Sequence, residues 1–422
     1  MLYLSYGGPK EVIDDRKLGI LLGELFDRFE NASRILAVPP DFTRYHSRAG
    51  RICELLYHRF PSAVTDVLPA LGSHEPMSPT QVGKMFGTLP PDLIRKHRWR
   101  QDTVTLGRIS EKYISEISDG MVSFDYPVQL NRMLMEGGYD LILSIGQVVP
   151  HEVAGLANYT KNIFVGTGGK EAIDKSHFIG AVYGMERMMG KADTPVRKVL
   201  NRAGSEYASQ LPLVYILTVL ENTEDGEIIL RGLFAGDDDE CFYAAAELSQ
   251  QVNVYQLPEP VSHVVAYLDP EEFQSTWLGN KAIYRSRMAI GDGGRLTVIA
   301  PGVSRFGEDS EIDALIRRYG YRGTETTLRL VAEQPDLAEN LSAAAHLIHG
   351  SSEGRFEIEY APGQLSQEEV EGVGYRYRDL ADVEERYQPR GKNTGYYEDS
   401  DGTPYYFIAN PALGLWSHQR IG

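Results

Sequence analysis

The sequence predicts an α/β protein made of two α/β domains with largely parallel sheets, and three observations predict it. Apolar, β-branched runs alternate with amphipathic stretches, the pattern left by parallel strands joined through crossover helices. The 422 residues, 42% hydrophobic and 24% charged, suffice for two separate cores. Leu257-Pro258-Glu259-Pro260 reads as a linker, because closely spaced prolines interrupt helices and strands alike. The expected domains are 1–258 and 259–422, with a functional site in the cleft between them.

Taken in order, strands are expected at 35–38, 64–68, 141–145, 214–219 and 228–233, each a short apolar run rich in β-branched residues. Helices are expected at 18–29 and 239–251, where apolar residues recur at helical spacing. Beyond the linker, strands are expected at 264–268 and 296–300, and helices at 271–290 and 337–348. The stretch 376–403 is rich in charge, Gly and Tyr and is expected to form extended surface structure. No internal repeat or low-complexity segment interrupts the pattern.

The formal net charge of −17 argues against nucleic acid and anionic membranes as partners. An anionic ligand must then be met by a few local cations. Cys53 and Cys241 are the only cysteines and belong to no CxxC pattern, so a thiolate metal cluster built by the protein is excluded. Two reduced, buried thiols are expected. No signal-like start and no apolar run of membrane-spanning length is seen, which points to the cytoplasm.

Three strands run into polar residues that packing does not require. The first leads into Pro39-Pro40-Asp41-Phe42-Thr43-Arg44, the second into Gly72-Ser73-His74-Glu75, the third into Gly146-Gln147-Val148-Val149-Pro150-His151. Ligands of open α/β sheets bind outside the carboxyl ends of the strands. If these strands are parallel neighbours, Asp41, Arg44, His74 and His151 share one crest. Asp41 or Thr43 could instead cap a following helical turn, and a single His at a strand end is commonly structural. Downstream, His151 is followed by Lys161, then Gly166-Thr167-Gly168-Gly169, then His177. The glycines could offer backbone N–H groups to a phosphate, or merely make a tight turn. No HxH or HxxxH spacing supports zinc. These residues describe a site with histidines, a lysine and an arginine, and they do not name a reaction.

The sequence resembles the lactate racemase family. The D-x-T-R motif matches Asp41-Phe42-Thr43-Arg44, and the G-x-H motif followed by P-M-[ST] matches Gly72 to Ser78. The P-H-x-x-A-G motif matches Pro150-His151-Glu152-Val153-Ala154-Gly155, with Lys161 and His177 in the family's order beyond it. The resemblance implies a nickel-pincer nucleotide joined to Lys161 as a thioamide, with His177 as the metal's protein ligand. It implies that a 2-hydroxy acid is inverted at C2 by reversible hydride transfer, with His74 and His151 taking and returning the hydroxyl proton. Arg44 would bind the substrate carboxylate, and Asp41 would orient a histidine or Arg44. Thr43 and Gly166, Gly168 and Gly169 would line the cofactor. Trp277-Leu278-Gly279-Asn280-Lys281 aligns with an aromatic-Gln-x-x-Lys pattern, so Lys281 would be a second anion-binding cation and Trp277 a substrate wall. Implied partners are the small-molecule substrate and the proteins that make the cofactor and insert nickel.

The sequence departs from the family at Leu278, where Gln is usual, and at Glu75, where Arg is usual. It also has Leu156-Ala157-Asn158-Tyr159-Thr160 in place of a Gly-rich approach to the lysine. These changes fall on expected substrate walls, so lactate itself is not the expected substrate. A larger polar acid, an aldonate such as gluconate, fits the polar substitutions at Glu75, Asn158 and Tyr159. Two other classes stay open: a metal-dependent hydrolase using Asp41, His74, His151 and His177, and a non-catalytic carrier of the nickel nucleotide.

Overall fold

The computed structural model describes all residues except Ser73, Glu224, Asp225, Ile421 and Gly422, and all their side chains except that of Leu413. Ser73, the middle residue of the G-x-H motif, therefore lies outside the described residues. The chain forms two compact units. The first comprises Met1–Ile179, Gly190–Glu221 and Ile228–Val252; the second comprises Gly180–Met189, Asn222–Glu227 and Asn253–Gly422.

The first unit is organised around a six-stranded sheet of β1 (Leu2–Gly7), β2 (Ile35–Val38), β3 (Val64–Val67), β4 (Leu141–Gln147), β5 (Leu213–Asn222) and β6 (Ile228–Gly236). The spatial order is β1-β6-β5-β4-β2-β3. β2 runs parallel to both β3 and β4, and β4 runs parallel to β5. Every residue of β2 and β4 is buried, which is why β2 reads as an unbroken apolar run and β4 is polar only at Ser144 and Gln147. Helix α1 (Asp15–Phe26) starts at Asp14, whose carboxylate accepts from the Lys17 N–H at 2.7 Å. It buries Leu18, Leu21, Leu22, Leu25 and Phe26 in the same core as β2 and β4.

The second unit has its own six-stranded sheet: β7 (Val261–Tyr267), β8 (Ile290–Ala300), β9 (Glu357–Pro362), β10 (Arg376–Tyr377), β11 (Gly395–Glu398) and β12 (Pro404–Ile408). Its order is β10-β9-β8-β7-β12-β11, all parallel except the β11–β12 pair. The mixed α/β class with parallel-rich sheets is therefore as the sequence predicts.

Two local expectations are corrected. The stretch 271–290 is not one helix: it breaks into Thr276–Gly279 and Lys281–Ser286, and its last residue already belongs to β8. The break lies at Asn280, which is wholly buried and donates to the Tyr375 hydroxyl at 3.0 Å. The stretch 376–403 is not simply extended either, since it contains helix Leu380–Tyr387 between β10 and β11. Asp379 caps that helix through the N–H groups of Ala381 and Asp382, and Val383 and Tyr387, four residues apart, bury its inner face. Both cysteines are buried and free. Among the described residues no helix is long and apolar enough to cross a membrane.

Candidate active site

Because β3, β2 and β4 are adjacent and parallel, the loops leaving their carboxyl ends lie side by side. A bridge between Pro40 and Ala70 carries the β2–β3 pairing into those loops. Asp41 sits at the head of the short turn Phe42–Ser47 and divides its two oxygens between two tasks. Oδ1 accepts from the Thr43 N–H at 3.1 Å and hydroxyl at 2.5 Å, which caps the turn. Oδ2 accepts from Nδ1 of His74 at 2.6 Å. Capping and orienting a histidine are thus done by one residue. Burial opposes ionisation of Asp41, but His74, Thr43 and Arg44 together hold its carboxyl below the usual range. With Nδ1–H committed to Asp41, neutral His74 presents Nε2 as a bare acceptor.

His151 is held in the opposite way. It lies in the two-residue strand Pro150–His151, folded back on Gly155–Leu156, and is buried. Its Nδ1 accepts from the Val153 N–H at 3.1 Å, so the neutral ring carries its proton on Nε2. The Glu152 carboxylate stands 3.7 Å from the same Nδ1.

Lys161 projects from α2 (Thr160–Phe164) and His177 from α3 (Lys170–Tyr183). Nδ1 of His177 donates to the Ile173 carbonyl at 2.7 Å, which fixes the tautomer and leaves Nε2 as a lone-pair donor. Burial, then the charge of Lys161, lowers its readiness to protonate, against the pull of the Ile173 carbonyl and Glu152. Lys161 keeps some solvent access, yet burial and next the charge of Arg44 bring its ammonium down to about 8. Glu152 and Asp41 oppose that shift, and Arg197 adds to it. Near-neutral solution therefore contains an appreciable share of nucleophilic amine. The Arg44 guanidinium makes no hydrogen bond or ion pair with any described residue, so it is available to an anion. Asp41, Arg44, His74, His151, Lys161 and His177 all stand in the first unit; Asp41 holds His74, Lys161 feels the charges of Arg44 and Asp41, and His177 feels that of Lys161.

Three sequence expectations need correction. Gly166 and Gly168 do not form an open phosphate nest, because their N–H groups are used internally, on the carbonyls of Lys161 and Val165. A Cβ at Gly166 would come within 2.7 Å of the Ala70 Cβ and 2.3 Å of a backbone oxygen. At Gly168 it would meet the Phe164 carbonyl at 2.3 Å, and at Gly169 the Gln129 side chain at 2.6 Å. These glycines serve close packing. Thr43 is exposed, with its hydroxyl on Asp41, so it supports the turn. Glu75 is exposed, and no described residue bonds to it, while Asn158 accepts from the Tyr159 N–H at 2.7 Å and Tyr159 packs on Tyr215 and Phe242. The expectation that these three form a buried polar wall for substrate does not hold.

In the second unit, Lys281 is buried with its ammonium 5.4 Å from the Phe273 ring centre, and Trp277 packs on His346 at 4.5 Å between ring centres. Sequence reasoning missed Glu152 and Arg197. Glu152 was legible as a carboxylate next to His151 inside a motif. Arg197 had no signal, since its contacts are long-range.

Residues 20–189, the segment that holds all six of these first-unit residues, match the family described as lactate racemase N-terminal domain. The matched segment, less than half of the chain, is similar to that domain family. Around that domain the whole fold is shared with solved structures. A protein from Thermotoga maritima superposes with a TM-score of 0.82 at 23% identity, covering 98% of this chain and 99% of that one. The lactate racemase apoprotein from Thermoanaerobacterium thermosaccharolyticum superposes with a TM-score of 0.67 at 16% identity, covering 93% and 88%. None of the curated proteins compared with the chain matches it.

Proposed function

We propose that this protein is a 2-hydroxy-acid racemase or epimerase that works with a nickel-pincer nucleotide attached to Lys161. The observation that carries this reading is a pair of histidines held by opposite hydrogen-bond partners, in the same unit as a lysine amine brought down to about 8. The residues present fit the group. Lys161 supplies a nucleophilic amine for thioamide formation, and Nε2 of His177 supplies an imidazole lone pair suited to Ni(II).

When bound, the group supplies a reversible acceptor for the hydrogen at C2. The chain's own residues manage the rest. Arg44 grips the carboxylate, where a planar guanidinium holds two oxygens at once. His74, its Nε2 bare, takes the hydroxyl proton of one stereoisomer. His151 returns a proton to the oxygen when the other stereoisomer forms, acting as the imidazolium, in which both ring nitrogens carry protons and the Val153 N–H bond is given up. The next turnover in reverse exchanges the roles, as a two-base inversion requires.

For the substrate's tail, support narrows to Glu75, which follows His74 and is exposed. A carboxylate there accepts the hydroxyls of an aldonate such as gluconate and repels a second carboxylate. The hydrolase reading is not favoured, since among the described residues no three His, Cys, Asp or Glu side chains converge to hold a metal. The test is a substrate carrying deuterium at C2, incubated with holoenzyme in ordinary water. Inverted product that keeps its deuterium supports internal hydride return; full exchange with solvent overturns it.

A further inference from the structure

A second buried cation stands behind the lysine. Arg197, in the first turn of helix α4 (Pro195–Tyr207), is 1% exposed and has no carboxylate within ion-pair distance among the described residues. Its guanidinium donates to the Leu156 carbonyl at 2.8 Å, the Asn158 carbonyl at 3.0 Å and the Thr160 hydroxyl at 2.9 Å. Thr160 in turn donates to Asn201 at 2.8 Å, four residues and about one helical turn beyond Arg197 along α4. The same face of Arg197 lies 4.2 Å from the Phe242 ring centre.

The segment it grips is strained. Asn158 and Tyr159 both have positive φ, 65° and 57°, a conformation that L-residues rarely adopt because it is strained. Two such residues in succession persist only where their surroundings over-determine them, and they deliver the chain directly into Thr160 and Lys161. Burying an unpaired guanidinium is itself costly. A turn needed only for folding could be tied by neutral groups at lower cost.

We propose that Arg197 is the positioning residue for Lys161, holding by its three hydrogen bonds the strained turn that presents the lysine amine to the site. It rests on the reading of Lys161 as the attachment point only for its purpose, since the geometry is a property of the chain without cofactor.

The experiment therefore uses the purified full-length chain with no cofactor and a small N-hydroxysuccinimide acetate ester. The lysine nitrogen attacks the acyl carbon, N-hydroxysuccinimide leaves with the bonding pair, and the amine proton passes to water. Peptide mass spectrometry at pH 7.5 gives the acetylation rate of Lys161 relative to exposed Lys112. In Arg197→Met that ratio should fall about tenfold, because a lysine released to water holds its proton more tightly. Amide exchange should quicken in the peptide spanning 156–165 while β2 and β4 stay protected. Arg197→Lys, which keeps the charge but offers one donor nitrogen in place of two, should recover part of both effects. If Arg197→Met does not fold, Thr160→Val removes one of the three bonds and should lower the ratio two- to threefold. A folded Arg197→Met or Thr160→Val chain with wild-type labelling and wild-type exchange in 156–165 would overturn the proposal. Failure of adduct formation in co-expressed protein, with the labelling result intact, would count instead against the cofactor reading.

Discussion

The two histidine turns of the first unit differ more than their shared residue type suggests. His74 leans on a carboxylate, keeps a third of its side chain exposed and offers a bare Nε2. His151 accepts a backbone N–H, is nearly buried and carries its proton on Nε2. A symmetric reaction does not require a symmetric pair of groups. One group must take a proton while the other returns one, and the two histidines enter that exchange from different hydrogen-bond partners, a carboxylate for His74 and a peptide N–H for His151.

The largest effect expected from testing this comparison is on Lys161, which serves both turns. Lys161→Ala should abolish inversion in either direction, read by chiral chromatography; full activity would remove the lysine from the account. Next come His74→Ala and His151→Ala, each expected to cut turnover roughly 100- to 10,000-fold, the range for a general base or acid. Equal losses whichever stereoisomer is supplied would fit the two-way relay, whereas wild-type turnover in either variant would break it.

Asp41→Asn separates the turns, because only His74 depends on that carboxylate. Loss of such a supporting partner should cost roughly 10- to 100-fold. It should also change stability with pH in a defined direction. The folded carboxyl of Asp41 lies below its usual value, so its stabilisation is present at neutral pH and is lost as pH falls through that lowered value. The melting difference between wild type and Asp41→Asn should therefore shrink on acidification. A difference that grows instead would contradict the assignment.

Gly168→Ala asks whether the glycines serve packing or phosphate. A Cβ there meets the Phe164 carbonyl at 2.3 Å, so a loss of about 1–3 kcal/mol is expected in denaturant melts of the chain without cofactor. Unchanged stability would revive the phosphate nest. Smallest is Glu75→Gln, expected within about 0.5 kcal/mol of wild-type stability because the residue is exposed. Its effect should appear only in the ratio of aldonate to dicarboxylate turnover.

Much of this was legible because in the first unit each reactive residue follows a buried strand within a few positions. An apolar run such as Ile35-Leu36-Ala37-Val38 fixes where the backbone stops, and what comes next is then conspicuous. Parallel neighbours β2, β3 and β4 turned those three endings into one place. What stayed hidden depends on contacts between distant residues. Gly166 to Gly169 look alike in sequence whether their N–H groups are open or spent, and only the carbonyls of Lys161 and Val165 decide it. Glu75 reads as a wall residue until its exposure is known. Average charge also hides local detail: Arg95 to Arg100 is a cationic stretch in an acidic chain, with Arg95 on Asp66 at 2.6 Å and Arg98 on Asp102 at 2.7 Å. In the second unit the expected helix across 271–290 failed at Asn280, whose partner Tyr375 lies far along the chain.

Peptide mass spectrometry on the chain co-expressed with the cofactor-making and nickel-inserting proteins tests the central claim most directly. The expected result is a nucleotide-sized adduct on Lys161, absent from Lys161→Ala and retained in His74→Ala and His151→Ala. An active preparation with Lys161 unmodified, or with the adduct on another lysine, would contradict it.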